Sequence, residues 1–162
     1  MPDFVHQRHK SPRPLVAPRD LVLVCAPLRS NVNFSRIVRA AGCCGVGRIV
    51  VCGPARLDVD IARIDEGQIQ LERHRSLPPV LKKLRDEGLH LVGLEQTTNS
   101  AVLYDFPFVR RTALVIGNER QGLDDEVLGL VDAVVEIPVY GLPFAHNVAT
   151  ATAMALYEYC RQ

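Results

Sequence analysis

The chain has 162 residues, 48% of them apolar and 23% charged, with a formal net charge of +1. This is one domain's worth of sequence with a substantial core, too short for two ordinary domains and too apolar for a disordered segment. The near-neutral balance argues against a histone-like polyanion binder, and no apolar run approaches the ~20 residues that a bilayer crossing needs.

Residues 1–19 carry Arg8, Lys10, Arg13 and Arg19 with His6 and His9, against the single acid Asp3. Scattered prolines and the lack of any period predict a flexible basic arm, either a phosphate contact or a solvated tail. It lacks an apolar core of signal-peptide type, so a cytoplasmic protein is expected. From residue 20 to 162 the pattern alternates, as expected for a single domain. Leu21–Ala26 reads as a buried strand ended by Pro27. The polar turn Arg29–Asn33 then leads into a helix running to about Gly42, with Asn31, Asn33 and Ser35 all competent caps. Arg48–Cys52 is a second strand, whereas residues 56–72 have no clear period. Ser76 opens a helix with prolines in its first turn that stops at Gly88. Leu89–Leu94 is another strand, and 101–111 reads as a connection.

The densest stretch follows. Ala113–Ile116 is a short apolar strand that breaks into Gly117-Asn118-Glu119-Arg120-Gln121-Gly122-Leu123. A further apolar run, Ala133–Pro138, leads to Gly141–Asn147 and then to a helix rich in alanine. Two strand ends and a helix start would converge on one crevice, the place where open α/β sheets take ligands. Ordinary strand–turn–helix punctuation is the alternative. Strands separated by crossover-length segments predict an α/β fold with a mostly parallel sheet, covered by helices on both faces.

Spacing excludes several familiar sites. Gly117 and Gly122 have a P-loop interval, but Leu123-Asp124 stands where Lys-Ser/Thr would grip phosphate. Gly42, Gly45 and Gly47 run in the wrong order for a dinucleotide fingerprint, and there is no G-x-S-x-G or H-E-x-x-H. The five cysteines (Cys25, Cys43, Cys44, Cys52 and Cys160) lie mostly inside apolar runs without zinc spacing. Buried reduced thiols and no metal site are expected.

Three motifs in order carry a resemblance: Asn33 and Arg39 in Asn33-Phe34-Ser35-Arg36-Ile37-Val38-Arg39, the Gly117–Leu123 turn, and Ile137-Pro138 with Asn147 before the alanine-rich helix. Together they resemble the SpoU-type branch of the SPOUT RNA methyltransferases over residues 20–162. The resemblance implies a deep C-terminal trefoil knot, S-adenosylmethionine as cofactor, a homodimer whose active site is completed across the interface, and 2′-O-ribose methylation of tRNA or rRNA. It casts Leu94, Gly117, Ile137 and His146 as cofactor contacts and Glu119 and Asn147 as holders of the catalytic geometry. Asn33 would position Arg39, which serves as proton acceptor or phosphate clamp. The clamp is chemically easier, because a guanidinium stays protonated. Gly93–Thr97 and the ending Tyr157–Gln162 are most similar to the subgroup that methylates a guanosine in the tRNA D-loop. One departure stands out: Ala145-His146-Asn147 replaces the family's usual Ser-Leu-Asn. That loss motivates a rival reading, a catalytically weak, cofactor-binding RNA chaperone or scaffold.

Overall fold

The computed structural model describes residues 3–17 and 19–162; Met1, Pro2 and Pro18 of the expected arm lie outside the described residues. Seven strands form one sheet: β1 (Leu21–Cys25), β2 (Arg48–Cys52), β3 (Gln70–His74), β4 (His90–Leu94), β5 (Ala101–Val102), β6 (Thr112–Ile116) and β7 (Ala133–Glu136). Their spatial order is β3-β2-β1-β6-β4-β7-β5, and every ladder among the described residues is parallel. Two late strands are therefore inserted between earlier ones, β6 between β1 and β4 and β7 between β4 and β5.

The central strands read as unbroken apolar runs because both of their faces are covered. Leu21, Leu23 and Cys25 of β1 face one way and join Phe34, Ile37 and Val38 of helix α1 (Asn31–Cys43) and Ala155, Leu156 and Tyr159 of helix α5 (Val148–Arg161). Val22 and Val24 face the other way, against Leu77, Val80, Leu81 and Leu84 of helix α3 (Leu77–Asp86) and Val127 of the short helix α4 (Asp125–Leu128). Alternate residues of one strand thus feed two cores, as the period of two requires.

Three local readings need correction. The cap of α1 is Ser30, whose hydroxyl accepts the Asn33 N–H at 3.1 Å, so the helix begins inside the expected turn. Ser35 instead is buried and ties α1 to the loop after β2, donating to the Asn31 carbonyl and accepting the Asp58 N–H. The unpatterned 56–72 region contains a short helix α2 (Val59–Ala62) and the edge strand β3, and the 101–111 connection contributes β5 at the opposite edge. Edge strands bury little, so β3 keeps the polar sequence Gln-Leu-Glu-Arg-His and offers no apolar alternation. It is held by Arg48 of β2, whose Nε and Nη1 reach Glu72 of β3 and Glu87 after α3, each at 2.6 Å. That guanidinium keeps the Glu72 carboxyl below the usual carboxylate range.

Residues 3–17 contain neither helix nor strand, and Arg8, Lys10 and Arg13 are exposed. The arm touches the body at Gly45, beside the Leu15 side chain, and at the Cys44 carbonyl, which accepts from Arg19 Nε at 2.7 Å. All five cysteines are unbridged; Cys25, Cys44 and Cys52 are buried as expected, Cys160 is half-buried and Cys43 is exposed on α1. Among the described residues no helix is long and apolar enough to cross a membrane.

Candidate active site

At the carboxyl ends of β4, β6 and β7 the sheet opens into a cleft of about 380 Å³, within the size range of small-molecule sites. Each wall comes from the loop that a strand must turn into: Leu94–Gln96 after β4, Ile116–Gly122 after β6, Glu136–Ile137 after β7, and Ala145–Val148 at the start of α5. The four residues expected to contact a cofactor, Leu94, Gly117, Ile137 and His146, all line it.

The β6 turn is built from backbone. Asn118 and Gly122 exchange N–H···O bonds of 3.2 Å, and the Asn118 side-chain oxygen accepts the N–H groups of Arg120 and Gln121 at 2.9 and 2.7 Å. This closes the loop so tightly that a Cβ on Gly117 would lie 2.4 Å from the Gly122 carbonyl carbon. Gly122 has φ +65° and backs onto Glu95, whose carboxylate accepts the Leu123 N–H at 2.9 Å. Glu95 and Asn118 shape the turn, although the motifs that contain them assign neither residue a role. A lone acid just past a strand, or an asparagine in a turn, is too common to mark.

Glu119 leaves this turn to meet α1. Its carboxylate accepts the N–H groups of Arg29 and Ser30 at 3.2 and 3.0 Å and the Asn33 amide at 3.3 Å. The other end of Asn33 accepts from Asn147 Nδ2 at 3.2 Å, and the Asn147 oxygen caps α5 through Ala149 N–H at 2.9 Å. Three residues far apart in sequence, Asn33, Glu119 and Asn147, therefore form one polar chain at the cleft rim. Burial pushes the Glu119 carboxyl up, but backbone donors from its own residue, Ser30 and Arg29, with the Asn33 amide, outweigh it and hold the group below the usual range.

A carboxyl held low when folded contributes stability in full above the ordinary carboxylate range and loses it as pH falls through the lowered value. Glu119→Gln, which cannot titrate, should flatten this acid limb of the melting temperature against pH. It should also lower stability near neutrality by about 1–2 kcal/mol, since a charge-assisted acceptor becomes a neutral one. Thermal melts of both proteins from pH 3 to 7 test this; parallel curves would deny Glu119 the role.

Arg39 is not part of this cluster. It is exposed on the outer side of α1, and among the described residues its guanidinium reaches only the Ile61 carbonyl, at 3.4 Å. Val32, Arg36, Arg39 and Cys43 form one exposed stripe at helical spacing, and Thr150, Met154, Tyr157 and Arg161 form another on α5, which packs beside α1. Val32, Met154 and Tyr157 are 42%, 39% and 60% exposed, an apolar presence unusual for two neighbouring helix faces. Ala145, the departure noted in the sequence, lies in the cleft wall and presents no hydroxyl there.

A model of the SpoU rRNA methylase family matches residues 20–157. The tRNA (guanosine(18)-2′-O)-methyltransferase of Escherichia coli K12 is 27% identical over 146 residues, covering 88% of this chain and 64% of that protein. Among solved structures, a TrmH/SpoU tRNA modifying enzyme of A. aeolicus superposes with a TM-score of 0.83 at 27% identity, covering 89% of this chain and 75% of that one. The SpoU methyltransferase AviRb of Streptomyces viridochromogenes in complex with the cofactor AdoMet gives 0.73 at 29% identity, over 92% and 59% of the two chains. The chain thus spans less than two thirds of the Escherichia coli enzyme's length, and a far smaller share of some other curated relatives, down to 11% of the Saccharomyces cerevisiae protein and 6% of the Mus musculus one.

Proposed function

Because the chain belongs to the SpoU rRNA methylase family, we propose that it transfers a methyl group from S-adenosylmethionine to a ribose 2′-hydroxyl of structured RNA, with tRNA as the substrate class. The observation that carries this reading is the Asn33–Glu119–Asn147 chain at the rim of a cleft lined by Leu94, Gly117, Ile137 and His146. The cleft fits such a cofactor. It is small-molecule sized, and the wall after β6 is a tightly closed turn with glycine at both ends, which lets a ligand lie against backbone.

When bound, the cofactor supplies an electrophilic methyl on a sulfonium. The chain's own residues do the rest. The loops after β4, β6 and β7 hold the cofactor against backbone. The ionised Glu119, fixed by three N–H donors, locks Asn33, and Asn33 in turn locks the start of α5 through Asn147. Holding hydroxyl and methyl in line is where such a site gains most, up to ~7–11 kcal/mol in the best intramolecular cases.

Arg39 supports a homodimeric reading. Its stripe lies outside the cleft of its own chain, on the exposed apolar face of α1 and α5, so a second copy packed on that face would bring Arg39 to a cleft from across the interface. There a guanidinium would grip the phosphate beside the target ribose. We also read the insertion of β6 and β7, with the return of residues 137–147 to the cleft, as the trefoil knot of the SPOUT fold. The names of the relatives support the D-loop guanosine of tRNA as target, and a tRNA substrate would put the reaction in the cytoplasm.

The test is methyl transfer from labelled S-adenosylmethionine to bulk tRNA and rRNA, followed by mapping of ribose methylation. Incorporation into tRNA at one nucleotide supports the reading; incorporation only into rRNA moves the substrate class. Ala145 favours a second reading, a cofactor-binding RNA scaffold with little catalysis. Cofactor and RNA binding with no methyl transfer to any RNA, restored by Ala145→Ser, would select it.

A further inference from the structure

The basic residues are not spread evenly around the carboxyl edge of the sheet. In a parallel sheet the segment leaving each strand emerges at that edge, and four neighbouring strands each release an exposed arginine there: Arg75 after β3, Arg56 after β2, Arg29 after β1 and Arg120 after β6. Ladder spacing puts these exit points in a row about 14 Å long, at ~4.8 Å per strand. Ion pairs among the described residues engage Arg48, Arg73, Arg85, Arg110 and Arg161, but none of these four.

The acids that share these segments are already occupied. Asp58 accepts the Asp60 and Ile61 N–H groups, Glu119 accepts from Arg29, Ser30 and Asn33, and Asp124 accepts the Val127 N–H. Beyond β6 the character of the edge changes: β4 is followed by Glu95, β7 ends in Glu136, and Asp105 follows β5. The cleft lies at this boundary, with Arg120 in its wall. A second groove, of about 620 Å³, runs beside it between the β6 turn and the start of α3, bordered by Arg75 and Lys82 and sharing Asn118, Gln121 and Gly122 with the cleft. Asp124 and Glu126 are the exposed acids on its far wall, Asp124 being engaged with the Val127 N–H.

We infer that this arginine row and groove form a phosphate track, along which the RNA backbone flanking the target nucleotide runs from the β3 edge into the cleft. The inference rests on the RNA substrate proposed above and adds the face of the chain that holds it and the direction of approach. Guanidiniums that form no ion pair among the described residues, carried on regularly spaced strand exits, match a polyanion with regular charges, and each phosphate neutralised releases counterions.

Arg56 and Arg75 are the residues to alter, since neither touches the Glu119 cluster. The probe is unmodified bulk tRNA, and the readout is its dissociation constant from 50 to 300 mM salt. For Arg56→Gln/Arg75→Gln the log–log salt slope should shrink by about one and a half units, at ~0.7–0.9 per lost contact. S-adenosylmethionine affinity and melting temperature should stay at wild-type values. Lys83→Gln, which removes a cation on the outer side of α3, should leave the slope unchanged. A double variant with the wild-type slope overturns the track while leaving the RNA reading intact. A wild-type protein that binds no tRNA or rRNA in this salt range overturns both.

Discussion

Gly117→Ala should abolish cofactor binding, weakening S-adenosylmethionine at least 100-fold, or about 2.7 kcal/mol. The added Cβ would sit 2.4 to 2.8 Å from the carbonyl carbon, Cα and oxygen of Gly122. Those atoms are backbone, pinned by the two Asn118–Gly122 hydrogen bonds and backed by the Glu95 carboxylate, so they cannot swing aside as a side-chain tip would. The turn must open, and with it go the wall of the cleft and the position of Glu119. An overpacked site of this kind costs about 1–3 kcal/mol of stability, which lowers the melting temperature by roughly 2–10 °C for a chain of this length. Calorimetry with cofactor and a thermal melt test the two halves separately. Ordinary affinity in the variant would mean that the turn is not the cofactor wall.

Arg39→Lys should cut methyl transfer by about thirty- to several-hundred-fold while leaving cofactor affinity near its original value. Lysine keeps the charge but loses the planar two-pronged donor, and removing one preorganised donor raises a barrier by roughly 2–4 kcal/mol. Cofactor affinity should hold because Arg39 is absent from the cleft lining of its own chain. Mixing sharpens the test. If Arg39 acts across a dimer interface, inactive Arg39→Ala and inactive Glu119→Ala chains refolded together should regain a substantial fraction of activity, since one of the two sites in each mixed dimer receives neither lesion. No recovery from mixed dimers that demonstrably form would return Arg39 to its own chain's site. Near-normal turnover of Arg39→Lys on its RNA would remove it from the reaction altogether.

What the sequence reveals and what it hides divide along burial. Leu21–Cys25, Arg48–Cys52 and Thr112–Ile116 are central strands covered on both faces, so their apolar runs announce them. Gln70–His74 and Ala101–Val102 are edges, with half the packing to satisfy, and their composition carries no such mark. The start of α1 was blurred because four polar residues in six can cap, and tertiary structure decides among them. Ser30 wins because Glu119 already holds its N–H. Asn33, Glu119 and Asn147 were recoverable only as members of a familiar set of motifs; nothing in their local spacing says that one hydrogen-bonded chain joins them. Arg39 shows the opposite limit. Six residues beyond Asn33, at ~100° per residue, put it on a different side of the same helix, so a motif that lists the two together does not place them in one cluster.

The strand order also dictates a timetable. While the chain is being made, β1 and β2 emerge early, but the partner on the other side of β1 is β6, which arrives some ninety residues after β1. Until then β1, a strand of five buried apolar residues, has a bare edge, and β4 has neither of its neighbours, β6 and β7. Such long-range closure is slow, and the waiting edge is a template for pairing with other chains. The cleft closes last of all, because Asn147 must reach Asn33 across 114 residues of chain. A nascent or truncated chain lacking α5 would therefore hold all seven strands, with both edges of β1 and β4 paired, yet lack the helix that Asn147 caps and the cleft wall it supplies, so the sheet can be complete before the site is.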